Sequence, residues 1–380
     1  MHVASSNLVS RSISPADDAR ARIRASAERL RAALARTVTA DPALAAAAAD
    51  LSAGYRAGRE PAGGAGHVHD PRGAAAYAAI RMPATFAAVG RAMAEAALAL
   101  PAFAPASLLD VGAGTGAAAW AAAAVWPGLV DMVAIDREPA MIELGRRLAA
   151  PLRAGEPDAL GNATWRVVEG EAGSFPASDV VAAAYLLGEL GDPGDRAALV
   201  SRLWEATAGA LVLVEPGSRP GFGRILAARS LLIEAGATIA APCPGNVACP
   251  VQEPAWCHFL ARLDRSPLHQ RAKRAVRSWE DEPFSYVVAT RAPSEPRPRI
   301  VLGRPRQRPG QVELRICRDG RIETRIVSRR EGPAWRIARD LGWGDRLPAD
   351  LDASRHDARD VAHGDSGDPA LRHLDENGHP

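Results

Sequence analysis

Leu108-Leu-Asp110-Val-Gly112-Ala113-Gly114-Thr-Gly116 is the stretch that sets the fold: an apolar run ending around an acid, a glycine-punctuated turn, and then the Ala-rich Ala117 to Val125. A strand that leads straight into such a turn and a helix opens a nucleotide-binding βαβ sheet. Glycine at 112 and 114 lets the backbone approach a ligand closely and take torsions a side chain would forbid. The spacing is G-x-G-x-G, not the G-x-G-x-x-G that cradles a pyrophosphate. Asp136 closes the next apolar run, Met132 to Ile135, twenty residues after Gly116. A carboxylate at that place can accept hydrogen bonds from both hydroxyls of a ribose.

Outward from this turn, short apolar runs alternate with helical patterns: Leu108 to Val111, Met132 to Ile135, Trp165 to Val168, Val180 to Ala184 and Leu211 to Val214. That alternation predicts a parallel sheet covered on both faces, an α/β fold of the doubly wound Rossmann-like kind spanning 101–240. Before it, 21–100 reads as an all-helical lobe, with Ala21 to Arg36, Pro42 to Ala57 and Ala74 to Leu100 at helical spacing and Pro83 interrupting the last. After it, 241–283 holds a cysteine loop and a basic helix. The segment 284–346 reads as a β-rich module, with Phe284 to Thr290, Arg299 to Leu302, Gln311 to Cys317 and Arg321 to Val327 as strands and Asp319-Gly320 as a hairpin turn. Residues 1–20 and 347–380 are polar and irregular, and disorder is expected there.

With Asp110 on the strand before it, the glycine turn resembles motif I of the class I S-adenosylmethionine-dependent methyltransferases. The resemblance implies cofactor contacts from Asp110, Gly112, Ala113, Gly114, Gly116 and Asp136. It adds Glu171, in the Glu169-Gly-Glu171 run after the third strand, near the adenine. Tyr185-Leu-Leu-Gly-Glu189 follows the fourth strand, the place that faces the methyl acceptor in that family, so Glu189 is the candidate general base. A solvated or capping carboxylate is the plainer reading of Glu189. Neither an Asn-Pro-Pro-Tyr nor a Pro-Cys motif follows that strand, so no base-methylating chemistry is announced.

The chain has four cysteines, and three stand within fifteen residues: Cys243-Pro-Gly-Asn-Val-Ala-Cys249-Pro-Val-Gln-Glu-Pro-Ala-Trp-Cys257, with Cys317 further on. In a reducing compartment such a grouping points to one soft-metal site with four thiolate ligands rather than to disulfides. The separations are five, seven and fifty-nine intervening residues. A zinc ribbon pairs its ligands more closely, and iron-sulfur clusters tolerate wider spacing. Spacing alone leaves zinc and a 4Fe-4S cluster open. A radical S-adenosylmethionine enzyme would present C-x3-C-x2-C and keep one iron open, which this arrangement does not.

Net charge is only +2 over 380 residues, but it is unevenly spread. From His258 to Arg346 there are 21 Arg and Lys against 11 Asp and Glu, whereas Leu347 to Pro380 carries 3 against 8. Arg262, Arg265, Arg271, Lys273, Arg274 and Arg277, followed by Arg304, Arg306 and Arg308, form the footprint expected for phosphate contact. A helix through 271, 274 and 277 would put those cations on one face. A solvated face is the alternative.

Five stretches together resemble the small ribosomal subunit methyltransferase-like proteins of mitochondria and bacteria. They are Arg81-Met-Pro-Ala-Thr-Phe86, the Leu109 to Gly116 loop, the cysteine segment ending in Trp256-Cys257-His258-Phe259, the Glu280-Asp-Glu-Pro-Phe284-Ser-Tyr286 run and Leu314-Arg-Ile-Cys317. The resemblance covers roughly 70–346. It implies a factor that binds small-subunit ribosomal RNA, among ribosomal proteins, during assembly or early translation. It also implies a 4Fe-4S cluster on Cys243, Cys249, Cys257 and Cys317, and a methyltransferase fold whose activity is lost or retained. No apolar run is long enough to cross a bilayer. The start carries no secretory pattern, and Asp17-Asp18 argues against a transit peptide, so a bacterial-type cytoplasm is expected, with mitochondria the alternative location, and a monomer is expected.

Overall fold

The protein is described by a computed structural model covering residues 15–56, 68, 70–154, 159–168, 174–243, 245–273, 275–293, 299–348 and 351. Glu171, Arg274 and most of both terminal segments lie outside the described residues. Four helices come first: α1 (Pro15–Thr37), α2 (Pro42–Arg56), α3 (Pro71–Ile80) and α4 (Met82–Ala99). Helix α1 begins inside the segment read as irregular, because Pro15 has the φ a first helical turn needs and Asp18 lies in that turn, near the positive end of the helix. Asp70 caps α3, accepting from the amides of Arg72 and Gly73 at 2.8 Å.

The main sheet then follows, from β1 (Ser107–Val111), β2 (Asp131–Asp136), β3 (Thr164–Val167), β4 (Ser178–Ala184), β5 (Thr207–Pro216), β6 (Thr238–Ala241), β7 (Phe259–Asp264) and β8 (Trp279–Thr290). Its order is β3-β2-β1-β4-β5-β8-β6, with β7 also on β8. Strands β1 to β5 are parallel, and β8 enters antiparallel between β5 and β6. This is the sheet order of a class I methyltransferase fold. Between the strands run α5 (Ala117–Val125), α6 (Pro139–Ala149), α7 (Pro193–Ala206), α8 (Arg219–Glu234) and α9 (Pro267–Lys273).

The core explains why the N-terminal helices are not a lobe of their own. Leu30, Leu34, Phe86 and Met93 from α1 and α4 share one buried cluster with Trp120 of α5 and with Val180, Val212 and Val288 of the sheet. Helix α5 is small-sided and nearly all buried, which allows α4 to lie close against it. A second cluster covers the opposite face with Leu203 and Trp204 of α7 and Ile225 and Leu232 of α8.

Strand β8 settles the boundary that composition placed at 284: that position falls inside β8, a strand of the main sheet. The smaller sheet is β9 (Ile300–Arg308), β10 (Gln311–Arg318) and β11 (Arg321–Ser328), antiparallel in the order β11-β10-β9. Asp319 and Gly320 take φ of 47° and 75°, the two positive torsions a tight β10–β11 turn requires. Helix α10 (Pro333–Asp340) and Leu351 close its small core. Leu351 is fully buried, although it lies in the segment assigned to the acidic tail.

Strands β6 and β7 were not visible as strands in the sequence, and they position the cysteines. Both lie along the same edge of β8, where Ala241 faces Val288 and Phe259 faces Phe284. The chain leaves the sheet at one point and returns four residues away along β8, on the order of 13 Å. Cys243 and Cys257 sit two residues inside the two ends of that excursion.

Candidate functional site

Two places carry chemistry, the carboxyl edge of the parallel sheet and the cysteine loop. At the first, β1 has β2 on one side and β4 on the other, so the chain reverses direction across the sheet there and opens a ligand crevice at the strand ends. Gly112, Gly114 and Gly116 all take positive φ, of 67°, 56° and 88°. A Cβ on Gly116 would stand 2.4 Å from the Trp165 ring, which also lies 2.4 Å from where a Cβ of Gly145 would be. The third glycine therefore seats the ring of β3 against the loop as well as turning the chain. Gly116→Ala is expected to lower stability by about 2–4 kcal/mol through strain and overpacking. Urea unfolding measures this, with Gly128→Ala as control because nothing lies within 4 Å of its Cβ position.

The two acids of the motif do different work. Asp110 is buried and its Oδ2 accepts from the Ala119 amide at 3.1 Å, tying β1 to the first turn of α5. Asp136 accepts from the Gly114 amide at 2.7 Å and from the Glu138 amide at 2.9 Å, holding the loop from β2. Asp136 is the partly exposed one of the pair.

Burial pushes Asp110 up to about 7, against the Ala119 hydrogen bond and helped by the nearby Asp136 charge. The sign follows from proton uptake. Between the ordinary aspartate value and about 7 the folded state holds a proton that the unfolded chain has released, so stability falls as pH rises through that window. Asp110→Asn, whose side-chain oxygen can still accept from Ala119, is expected to flatten this dependence. Stability measured from pH 4 to pH 8 checks it.

Arg81, Tyr185 and Glu282, each in a stretch quoted above, meet in one polar network. Tyr185, directly after β4, has φ of 58°, a strained torsion for a bulky residue. Its hydroxyl donates to Glu282 Oε1 at 3.0 Å, and Arg81, at the α3–α4 junction, donates to the same carboxylate at 2.9 Å and 3.4 Å. Glu282 can reach them because the first half of β8 runs beyond the end of β5, where Pro216 faces Phe284, and is paired there only with β7. One strand position earlier on the same face, Glu280 takes Lys273 Nζ at 2.7 Å and 2.9 Å, Arg265 at 3.0 Å and the buried His269 at 3.3 Å. Burial holds the Tyr185 hydroxyl well above its ordinary range, so it is a donor here and not a base.

Glu189 lies at the same edge. Burial lifts it to about 7, with Arg137 at 3.4 Å opposing and Asp136, Glu215 and Glu138 adding to the rise. Its side chain keeps 40% exposure, so solvent screens part of that push. A carboxylate poised near neutrality suits proton abstraction, and the Arg137 ion pair suits a capping role equally. Glu215, buried and held by Arg224 at 2.7 Å and the Leu187 amide at 3.0 Å, fixes the turn that carries Glu189.

At the second place, Cys243, Cys249, Cys257 and Cys317 line one cavity of about 50 Å³, walled by Phe222, Ile225, Leu226, Ile300 and Leu302. The space exceeds what one water needs. Among the described residues, no group of three or more His, Cys, Asp or Glu side chains is placed to hold a single metal ion as it stands. Cys317 arrives from the small sheet, and its Asp319-Gly320 turn sits so close that a Cβ on Gly320 would be 3.3 Å from the Ala248 carbonyl. Buried Arg229 donates to the carbonyls of Gly245 and Val247 at 2.6 Å each. Asn246 clips the loop to Ile239 and Ala237, and Ser285 donates to the Cys257 carbonyl at 2.8 Å. The loop is thus pinned by α8 and β8 as well as by its own Asn246.

Burial pushes the Cys257 thiol well above its ordinary value, with the other three sulfurs adding to the rise. Cys317 is pushed up to about 12 for the same reasons, and Cys243 is raised against the pull of Arg229. Thiols in this setting stay protonated until a cation replaces the proton. Four sulfurs in a largely apolar wall, whose described residues include no carboxylate and no imidazole, fit a soft metal or a cluster.

The basic residues are arranged otherwise than the sequence pattern predicts. The helix is short, Pro267–Lys273, started by Ser266, whose hydroxyl accepts from the His269 amide at 3.1 Å. Arg271 and Lys273 are on its last turn, but Arg277 is past its end, and Arg262 lies on β7. The helix ends at Lys273 and β8 begins at Trp279, so Arg277 does not share a helix with Arg271. The periodic row is on β9 instead. Arg304, Arg306 and Arg308 stand at every second position, with 69%, 42% and 65% of their side chains exposed, Arg304 near Asp281 and the other two near Glu313.

The family described as mitochondrial small ribosomal subunit Rsm22 matches residues 71–348, which hold both sites. The chain belongs to the Rsm22 family. Among its relatives is the ribosome assembly protein METTL17, mitochondrial, of Homo sapiens, 34% identical over 297 residues, which are 72% of this chain and 62% of that protein. The Rsm22-cox11 tandem protein 2, mitochondrial, of Schizosaccharomyces pombe is 29% identical over 187 residues, 37% of this chain and 24% of that one. The chain therefore spans less than two thirds of the length of these Rsm22 relatives. Both are mitochondrial proteins, which does not support the cytoplasmic expectation. Among the described residues no helix is long and apolar enough to cross a membrane. Of solved structures, magnesium protoporphyrin IX methyltransferase (ChlM) from Synechocystis PCC 6803 with bound SAH is 14% identical with a TM-score of 0.37, over 63% of this chain and 95% of that one.

Proposed function

We propose that this chain is an assembly factor of the small ribosomal subunit that binds its RNA and neighbouring ribosomal proteins. In this reading it holds S-adenosylmethionine at the 110–116 loop and Asp136, and a 4Fe-4S cluster on Cys243, Cys249, Cys257 and Cys317. The observation that carries it is the meeting of four cysteines from separate segments in one apolar cavity, within a member of the Rsm22 family. The wide sequence spacing of the four cysteines, with five, seven and fifty-nine residues between them, favours a cluster over a single zinc ion. When bound, the cluster supplies a crosslink between the main and small sheets, and S-adenosylmethionine an electrophilic methyl group. The relatives' names support a mitochondrial-type ribosome as the particle to test first. Sedimentation of the tagged protein through a gradient with purified small subunits tests the reading. Co-migration with the small subunit, together with crosslinks to its RNA, is expected; migration with free protein alone contradicts it.

A second reading, an active ribosomal RNA methyltransferase, is favoured by the strained Tyr185 and the near-neutral Glu189 at the acceptor edge. Comparing methylation maps of small-subunit RNA between wild type and Asp136→Ala decides between them. A methyl group lost in the variant supports the enzyme, and identical maps support the assembly factor.

A further inference from the structure

The ribbon of β7 and β8 has two faces, and only one is consumed by the Glu280 and Glu282 networks. On the other, residues 279 and 281 of β8 stand opposite 264 and 262 of β7. That face carries Trp279, 36% exposed at the very start of β8, an uncommon place for a large aromatic with no core to fill. The Arg262 guanidinium lies 4.2 Å from the centre of its ring, and that of Arg277 lies 5.5 Å away. Arg262 is held in this pose by a two-pronged pair with Asp281, both contacts at 2.8 Å, and Asp281 also faces Arg304 at 3.7 Å. Val276, beside them in the loop after α9, is 99% exposed. Flat surfaces, delocalised cations and an exposed aliphatic side chain are thus collected at one end of the ribbon.

We infer that Trp279, Arg262 and Arg277 form a stacking platform for an unpaired nucleobase of a bound RNA. The inference rests on the RNA-binding reading above and deepens it. A planar base can stack on a guanidinium already laid against an indole, which extends the stack by one member. Arg304, on the neighbouring β9 row, is then placed for the phosphate next to that base. A duplex does not offer such a base, so the platform selects single-stranded or bulged segments. Asp281 is a positioning residue, because it acts only through the orientation of Arg262.

The test uses the full chain and two labelled RNA probes of equal length and charge, a single-stranded oligoadenylate and the same backbone with abasic sites, at fixed salt. Trp279→Ala is expected to weaken binding of the base-bearing strand about tenfold. It should leave the abasic strand and the slope of affinity against salt unchanged, and Trp279→Phe should retain most of the binding. Circular dichroism and urea unfolding verify that each variant is folded. Equal weakening of both probes, or none with either, overturns the platform while leaving RNA binding itself intact. A wild type that binds neither probe overturns the platform and the RNA-binding reading together. Loss of small-subunit association in Trp279→Ala with oligonucleotide binding unchanged would assign the face to a protein partner, which also overturns it.

Discussion

Cys257→Ser is expected to abolish the metal binding and the small-subunit association proposed for this chain. Cys257 is the sulfur whose charge interacts with all three of the others. It also sits between two structures, since its carbonyl is held by Ser285 of β8 and its cavity is shared with Cys317 of β10. Removing one of four ligands should lower metal affinity by at least about 100-fold, beyond what loss of an outer-shell partner does. The small sheet loses its crosslink to the cysteine loop; Cys257 itself packs against the cluster around Trp120, whereas the cluster around Leu203 meets Cys243 instead. Limited proteolysis is therefore expected to cut first between residues 243 and 328, with the glycine-loop region protected. Metal content by mass spectrometry and gradient sedimentation read the two main effects. Unchanged association in the metal-free variant would separate the cysteines from ribosome binding.

Glu282→Ala is expected to destabilise the protein by about 3 kcal/mol, because it leaves Arg81 and the Tyr185 hydroxyl without their shared acceptor in a largely buried place. The carboxylate side chain is 7% exposed and the Arg81 side chain 21%. Solvent reaching Arg81 is the reason for the lower end of what a broken buried pair costs. Glu282→Gln retains one acceptor oxygen and should cost less, about 1–2 kcal/mol. A double change with Arg81→Met should recover part of the loss if the pair acts as a unit. Urea midpoints of the four proteins check this. The contact joins the α3–α4 junction, the residue after β4 and the projecting half of β8, so its loss should also relax Tyr185 from its positive φ.

The glycine loop announced the fold because its function forces a local signature: a strand, three positive torsions and a helix leave little choice of sequence. The five parallel strands were legible for a related reason, since a central parallel strand such as β1 is buried on both sides and reads as continuous apolar residues. Strand β7 was not legible, because Phe259 to Asp264 alternates over a short span and its partner, Glu280-Asp-Glu282, looks like a solvated acidic turn. Only the tertiary contacts of Arg81, Tyr185, Lys273 and Arg262 show that these three acids are a strand whose every carboxylate is answered. The same pairing converts part of the apparent excess of basic charge into internal ion pairs. Proximity of Cys243 to Cys257 could be guessed from sequence; the reach of Cys317 to them could not, since it depends on how the small sheet leans on the loop.

Anaerobic purification of the full chain, with iron, sulfide and zinc counted per protein and the visible spectrum recorded, tests the cysteine clasp most directly. About four iron and four sulfide per chain with broad visible absorption are expected for a cluster on these ligands. A colourless protein, loaded with zinc or holding no metal at all, would contradict it.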